Sequence, residues 1–322
     1  MCQGHGALLQ GGVRTGAALR GTALHRGDCI GIAAPATHDE GQDISAAVTR
    51  LERAGYRVKM MPTVTGNYGF FSGTDEERAR DINALFHDDD VKAIICLNGG
   101  YGSARILDKL DYDFISSHPK LVVGFSDVTA LQIALWEKCR LVTANGPLMV
   151  TLGGSDAYTA GQFFQGLTTD KWQGPLALPA GRKLTTIVPG KAEGPIVGGN
   201  LTVLTSLVGT PYALDGTGCI LVLEDTGEDA YRIDRMLNQL WQSGLLSRVA
   251  AIAYGDFTDC PNDPGDFTTD QVLDYYAHLA GKPAIKGLPI GHTRDKAFVP
   301  YGVKVRVDAD REGASLTFVD HK

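Results

Sequence analysis

No apolar run in this chain approaches the roughly 18–20 residues that a membrane-spanning helix needs, so a membrane is not an expected partner. None of the six cysteines (Cys2, Cys29, Cys96, Cys139, Cys219, Cys260) forms a C-x-x-C pair, which speaks against a zinc knuckle or a thioredoxin-type motif. H-E-x-x-H is absent, and no metal is expected. The dinucleotide fingerprint G-x-G-x-x-G and the Lys-Ser/Thr of a P-loop are also missing, and no cofactor is expected. The formal charge of −7 lacks the basic excess that phosphate binding wants, so nucleic acid is not an expected partner. No acid precedes Asp28. Residues 1–26 carry Arg14, Arg20 and Arg26 among Gly and Ala, without the continuous apolar core of a secretory signal. They read as an extension, disordered by composition. No internal repeat is evident.

What is present is a core-forming composition. Of 322 residues 43% are hydrophobic and 21% charged, and that length favours two domains. Cys29, Cys96 and Cys219 fall at or within apolar runs. Buried, reduced thiols explain them and favour a reducing, cytoplasmic compartment.

From Asp28 short apolar runs alternate with helical patterns. Strands are expected at 29–34, 56–60, 91–97, 121–124 and 141–144, with helices at 43–54, 74–86 and 127–138 between them. This alternation predicts a flavodoxin-like parallel-sheet α/β domain over 27–165. Ligands of such sheets sit beyond the carboxyl ends of the strands, where the loops 35–38, 98–103 and 125–127 fall. Residues 166–194 are crowded with Pro and Gly and read as a linker or covering loop. A second, mixed α/β domain is expected over 195–322. It has strands at 219–223 and 250–254, helices at 229–242 and 270–279, and alternating antiparallel strands at 303–307 and 314–319.

Ser126 stands between an apolar strand and a helix, where a hydroxyl is exposed and a helix N-terminus is aimed at it. It also reads as a plain helix cap. Gly99-Gly100-Tyr101-Gly102 follows another strand and can turn backbone N–H groups on an oxyanion, or be only a tight turn. A nucleophilic serine needs a base. Of eight histidines, His38 and His292 lie in loops that can face a cleft. The base needs an orienting carboxylate. Glu224 ends a buried strand; Asp225 and Glu228 are its rivals, with Asp225 expected to point the other way.

Six motifs in order carry a resemblance. They are Gly27–Ala36; Asn98–Gly102 with Arg105; Gly124–Thr129; Gly198-Gly199-Asn200-Leu201; Leu223-Glu224-Asp225 with Arg232; and Leu288–His292. With them the chain resembles the serine LD-carboxypeptidases, which include the muramoyltetrapeptide carboxypeptidases and the microcin C immunity peptidases. The resemblance covers nearly everything from Arg26 onward.

It implies Ser126 as nucleophile, His292 as base and Glu224 as its orienting carboxylate, brought together at the domain interface. It implies an oxyanion hole from the N–H groups of Asp127 and Gly100, and a homodimer. Gly99, Tyr101, Arg105, Asn200 and Arg232 are candidate substrate contacts, with Arg105, Arg232 and Arg294 as candidate receptors of a substrate carboxylate. The family often has Arg where this chain has Asn98. The expected substrate is a murein tetrapeptide losing its terminal D-alanine. Two other readings stand beside it. One is a peptidase of peptidyl-nucleotide antibiotics, for which Trp172 is the aromatic residue that would stack on a base. The other is a sugar- or nucleotide-binding module without catalysis.

Overall fold

The computed structural model describes residues 16–38, 41 and 43–320. In the first half the strands are β1 Cys29–Ala33, β2 Arg57–Met60, β3 Val91–Cys96, β4 Leu121–Gly124 and β5 Thr143–Asn145. In the second half they are β6 Gln173–Pro175, β7 Thr185–Val188, β8 Gly190–Asn200, β9 Ile220–Thr226, β10 Ala251–Thr258, β11 Ala284–Lys286, β12 Val299–Tyr301, β13 Lys304–Asp310 and β14 Gly313–Val319.

β1 to β5 pair in parallel; the central strands β1, β3 and β4 are near-continuous apolar runs, as strands buried on both faces should be, while the edge strand β2 is largely exposed. Their sheet has the order β12-β5-β4-β3-β1-β2. The second sheet has the order β6-β14-β13-β8-β9-β10-β11-β7. It is parallel from β8 to β11 and antiparallel at both ends. The fold is therefore α/β in two parts, one mostly parallel sheet and one mixed sheet. Both parallel segments end their strands toward the cleft between them, and this places β4, β9 and the loop after β11 on facing walls.

Two expectations from sequence are corrected. Residues 166–194 are not a linker, since they supply β6, β7 and the start of β8. β6 and β7 are the outermost strands of their sheet, where a Pro costs no ladder hydrogen bond. β6 holds Gly174 and Pro175, and β7 runs straight into Pro189 and Gly190, so both mimic a loop.

Residues 16–26 are not an extension. Leu19 bridges Leu141, Leu24 is buried, and Arg20 clasps Asp320 with both guanidinium ends, one at 2.6 Å. Residues 1–15 lie outside the described residues.

One short strand of residues 195–322 leaves their own sheet. β12 pairs antiparallel with β5 and so closes the edge of the first sheet. A three-residue strand leaves too short a pattern to be seen in sequence.

Phe298 anchors that crossing. It is 1% exposed, stacks on Trp172 at 5.7 Å and meets Phe163 edge-on at 6.3 Å. Gly166, on the helix Ala157–Leu167, lies so close that a Cβ there would come within 2.3 Å of the ring. Phe298→Ala is expected to cost about 3–5 kcal/mol in urea unfolding, the range for emptying a large buried aromatic site. A loss below about 1 kcal/mol would show that the seam does not depend on this ring.

Candidate active site

Ser126 begins a short 3-10 turn that runs into the helix Thr129–Cys139. Its φ is +63°, a left-handed conformation that costs a non-glycine residue about 1–3 kcal/mol and persists only where the surroundings hold it. The cap reading fails, because the Ser126 hydroxyl satisfies no N–H of its own helix. It faces His292 Nε2 at 3.0 Å instead.

His292 stands in a loop closed at its base by the Ala297 N–H donating to the Pro289 carbonyl, 2.7 Å. The Thr159 hydroxyl accepts from Lys296 N–H at 2.9 Å and donates to the Arg294 carbonyl at 3.3 Å, so the helix Ala157–Leu167 grips the same loop. The His292 Nδ1–H donates to Glu224 Oε2 at 3.0 Å. That bond fixes the tautomer and leaves the Nε2 lone pair to accept the Ser126 proton.

Glu224 lies in β9 and is fully buried. Burial pushes its carboxyl up, and the His292 N–H and charge pull it back toward the ionised form. The next residue, Asp225, faces the other way as strand alternation requires. Its carboxylate accepts from the Asn200 amide at 3.0 Å, the Thr202 N–H at 2.9 Å and the Thr202 hydroxyl at 2.8 Å. Gly291, at φ +115°, gives Glu224 room: a Cβ there would stand 2.9 Å from Oε2.

The N–H groups expected to form an oxyanion hole come from two loops. Asp127 N–H belongs to a first helical turn, which has no internal acceptor for it. Gly100 N–H has no acceptor among the described residues. The adjacent Gly99 packs on Ser126, where a Cβ would come 3.0 Å from Ser126 Cβ and 3.1 Å from Oγ. Asn98 Oδ1 accepts from Gly99 N–H at 2.8 Å, and Thr37 Oγ1 accepts from Tyr101 N–H at 2.9 Å. The Asp127 side chain is buried and accepts from Ser103 N–H at 2.8 Å; burial raises its carboxyl. A serine, an imidazole and a buried carboxylate in one line, with N–H donors beside them, can carry out acyl transfer.

The comparisons agree. An LD-carboxypeptidase N-terminal domain profile matches residues 30–146, and an LD-carboxypeptidase C-terminal domain profile matches 193–307. A probable murein peptide carboxypeptidase of Bacillus subtilis is 38% identical over 91% of this chain and 93% of its own. The chain belongs to the LD-carboxypeptidase family. The microcin C7 self-immunity protein MccF of Escherichia coli, 31% identical over 90% of this chain and 93% of its own, is also similar. So is the crystal structure of a muramoyltetrapeptide carboxypeptidase from Oxalobacter formigenes, with TM-score 0.79 and 31% identity over 91% of this chain and 99% of that one.

The remaining family-implied contacts are spread out. Tyr101 is half-exposed beside Phe70 and Phe71, with ring centres 6.0 and 5.7 Å away. Arg105 binds Asp75 at 2.9 and 3.0 Å and lies over the Phe71 ring. Arg232 pairs with Glu228 and Asp229 around its own helix, 3.7 and 3.5 Å away, and makes no contact with Ser126 or His292. Asn200 caps the helix Leu201–Ser206 and donates its own N–H to Thr129 Oγ1 at 3.0 Å, a bond between the two walls.

Sequence reasoning missed Arg78, Thr37 and Thr129. Arg78 is fully buried and donates to the carbonyls of Pro35, Gly73 and Gly102, tying three loops together. From sequence it reads as one charge on a solvated helix face, because nothing local marks an arginine that turns inward.

Gly99→Ala is expected to slow fluorophosphonate labelling of Ser126 by about 100-fold, the scale of a misplacement near 1 Å, with the folded spectrum retained. An unchanged rate would show that the Cβ is accommodated. Glu224→Gln is expected to lower turnover about 10⁴-fold, because the amide no longer selects the right tautomer. It also has a stability signature. The Glu224 carboxyl is raised in the folded state, so its stabilising contribution is complete below about pH 4 and is lost as pH rises through the folded value. E224Q lacks that loss. Its urea midpoint should gain on wild type from pH 4 to pH 8, and a difference that does not grow would contradict a burial-raised carboxyl.

Proposed function

We propose that this enzyme releases the C-terminal D-alanine of a murein tetrapeptide through an acyl-enzyme. The observation that carries the reading is the pair of 3.0 Å hydrogen bonds joining Ser126, His292 and Glu224. The murein peptide names of the Bacillus and Oxalobacter relatives support the substrate.

Ser126 Oγ attacks the carbonyl carbon of the L-centre while His292 Nε2 takes the hydroxyl proton. The new oxyanion lies against the N–H groups of Asp127 and Gly100. The carbon–nitrogen bond breaks as His292 returns the proton to the departing D-alanine amine. Water then attacks the ester with His292 again as base, freeing the tripeptide and restoring Ser126. Glu224 holds the ring and stabilises the imidazolium in both halves. No metal or cofactor takes part.

The setting we propose is cell-wall recycling in the cytoplasm by a homodimer. No helix among the described residues is long and apolar enough to cross a membrane. Cys29, Cys96, Cys139 and Cys219 are buried free thiols, which suits a reducing compartment.

The similarity to MccF makes a peptidyl-nucleotide the competing substrate. Trp172 does not favour it, since its ring stacks on Phe298 and packs against Phe318. Ser126→Ala is expected to reduce D-alanine release, read by mass spectrometry, by about 10⁴- to 10⁶-fold. Undiminished release would remove Ser126 as nucleophile. Cleavage of microcin C with none of the tetrapeptide would decide for the competing substrate.

A further inference from the structure

An enzyme that removes one residue from a free C-terminus must receive a carboxylate just beyond the bond it cuts. The arginines considered from sequence are poorly placed for this. Arg105 is held by Asp75, and Arg232 by Glu228 and Asp229. The Arg294 side chain is 87% exposed, with Asp156 3.8 Å away.

Lys296 is different in kind. It is 8% exposed, and its ammonium donates to the Thr293 carbonyl, inside the His292 loop. The ammonium lies over the face of Phe125, 4.9 Å from the ring centre. Phe125 is the residue before Ser126, and its ring meets the His292 ring edge-on at 5.1 Å. Among the described residues no carboxylate forms an ion pair with this ammonium. Glu224, Asp156, Asp256 and Asp295 act on it only at longer range, and burial lowers its pKa. Buried charges are ordinarily paired, because a lone one forfeits its hydration without return.

Beside Lys296 is a cavity of about 270 Å³. Pro147 and Thr151 form one side, just past β5, the strand next to the one that delivers Ser126; Asp156 and Arg294 form another. Asp156 and Asp295 share a hydrogen bond and lie against Arg294, which leaves Lys296 as the buried cation of this lining.

We propose that Lys296 is the cation that receives the substrate's C-terminal carboxylate, with the leaving residue seated in this cavity. This rests on the LD-carboxypeptidase reading above and adds the residue that makes the enzyme a carboxypeptidase. The missing partner of the buried ammonium is then the substrate itself.

The test compares two murein tetrapeptides, one ending in D-alanine and one in D-alaninamide, on wild type, K296M, K296Q and R294Q. The quantity read is the ratio of the two kcat/KM values, with each preparation normalised by fluorophosphonate titration of Ser126. Wild type is expected to prefer the free acid. In K296M the preference should fall about 10- to 100-fold, the loss of one charge-assisted hydrogen bond. K296Q keeps a donor for the Thr293 carbonyl and removes only the charge, so it should show the same fall and serves where K296M does not fold. A lysine that merely clamps the loop would lower both rates together. An unchanged ratio in K296Q therefore overturns the proposal, as does a fall seen in R294Q and not in the lysine variants. A wild type that cleaves both peptides without preference overturns it as well. A wild type that cleaves neither refutes the LD-carboxypeptidase reading itself, and the proposal falls with it.

Discussion

A serine on one sheet and a carboxylate on another can share an imidazole only while the sheets keep their separation to a few tenths of an ångström. The His292 bridge spans that gap with 3.0 Å on each side, which leaves no slack for relative motion of the two walls. The chain meets the constraint by refusing to divide cleanly. After completing most of the second sheet it returns to lay β12 on β5, then goes back to finish β13 and β14. Phe298 is wedged at that return against Trp172 and Phe163. The Asn200 N–H reaches across to Thr129 Oγ1 on the nucleophile's helix. Arg20 ties the beginning of the described chain to Asp320 at its end. An interface held only by side-chain contacts would be expected to open and close, whereas a shared strand makes the two walls one body.

That rigidity supports a site that is unfavourable in its own right. Ser126 holds a left-handed backbone, Glu224 is a fully buried carboxyl, and Lys296 is a buried ammonium with no ion pair among the described residues. Each would relax if its neighbours gave way. The neighbours are the apolar interiors of both sheets. Val122 and Val123 precede Ser126, Leu221 to Leu223 precede Glu224, and Leu288 and Ile290 precede His292, all of them buried. Every functional side chain thus follows immediately on a stretch that the core holds in place. The strain sits at the ends of strands, and the apolar strands behind it offset the cost.

This arrangement also explains what could be read from the sequence. The runs 29–34, 91–97 and 121–124 are apolar because they are central parallel strands, and they appear as β1, β3 and β4 with shifts of no more than a residue. The ends of such runs are where Ser126 and Glu224 stand. The edges were not legible, because β6 carries, and β7 runs into, the Pro and Gly that also mark loops. β12 was not, because three residues have no period. Arg78, Thr37 and Lys296 were not, because a charge or hydroxyl that turns inward differs from a solvated one only through partners distant in the chain. The choice among loop histidines was likewise a question of long-range partners, and the resemblance to a family was what pointed to His292.

Asn98 shows how local and distant charges divide the work. Where the family often has an arginine, this chain has a side chain that accepts from its own neighbour's N–H at 2.8 Å. That bond and the one from Tyr101 N–H to Thr37 fix both flanks of Gly100 without placing a formal charge there. An arginine beside the oxyanion donors would attract any anion, including a substrate carboxylate in the wrong register. With Asn98 neutral, the buried Lys296 ammonium, which forms no ion pair among the described residues, stands over Phe125 next to Ser126. Under the proposed reading, the loop around Gly100 meets the developing charge on the scissile carbonyl through geometry alone, and the permanent charge of the peptide terminus is drawn to Lys296. Separating the two in this way orients the peptide as well as binding it.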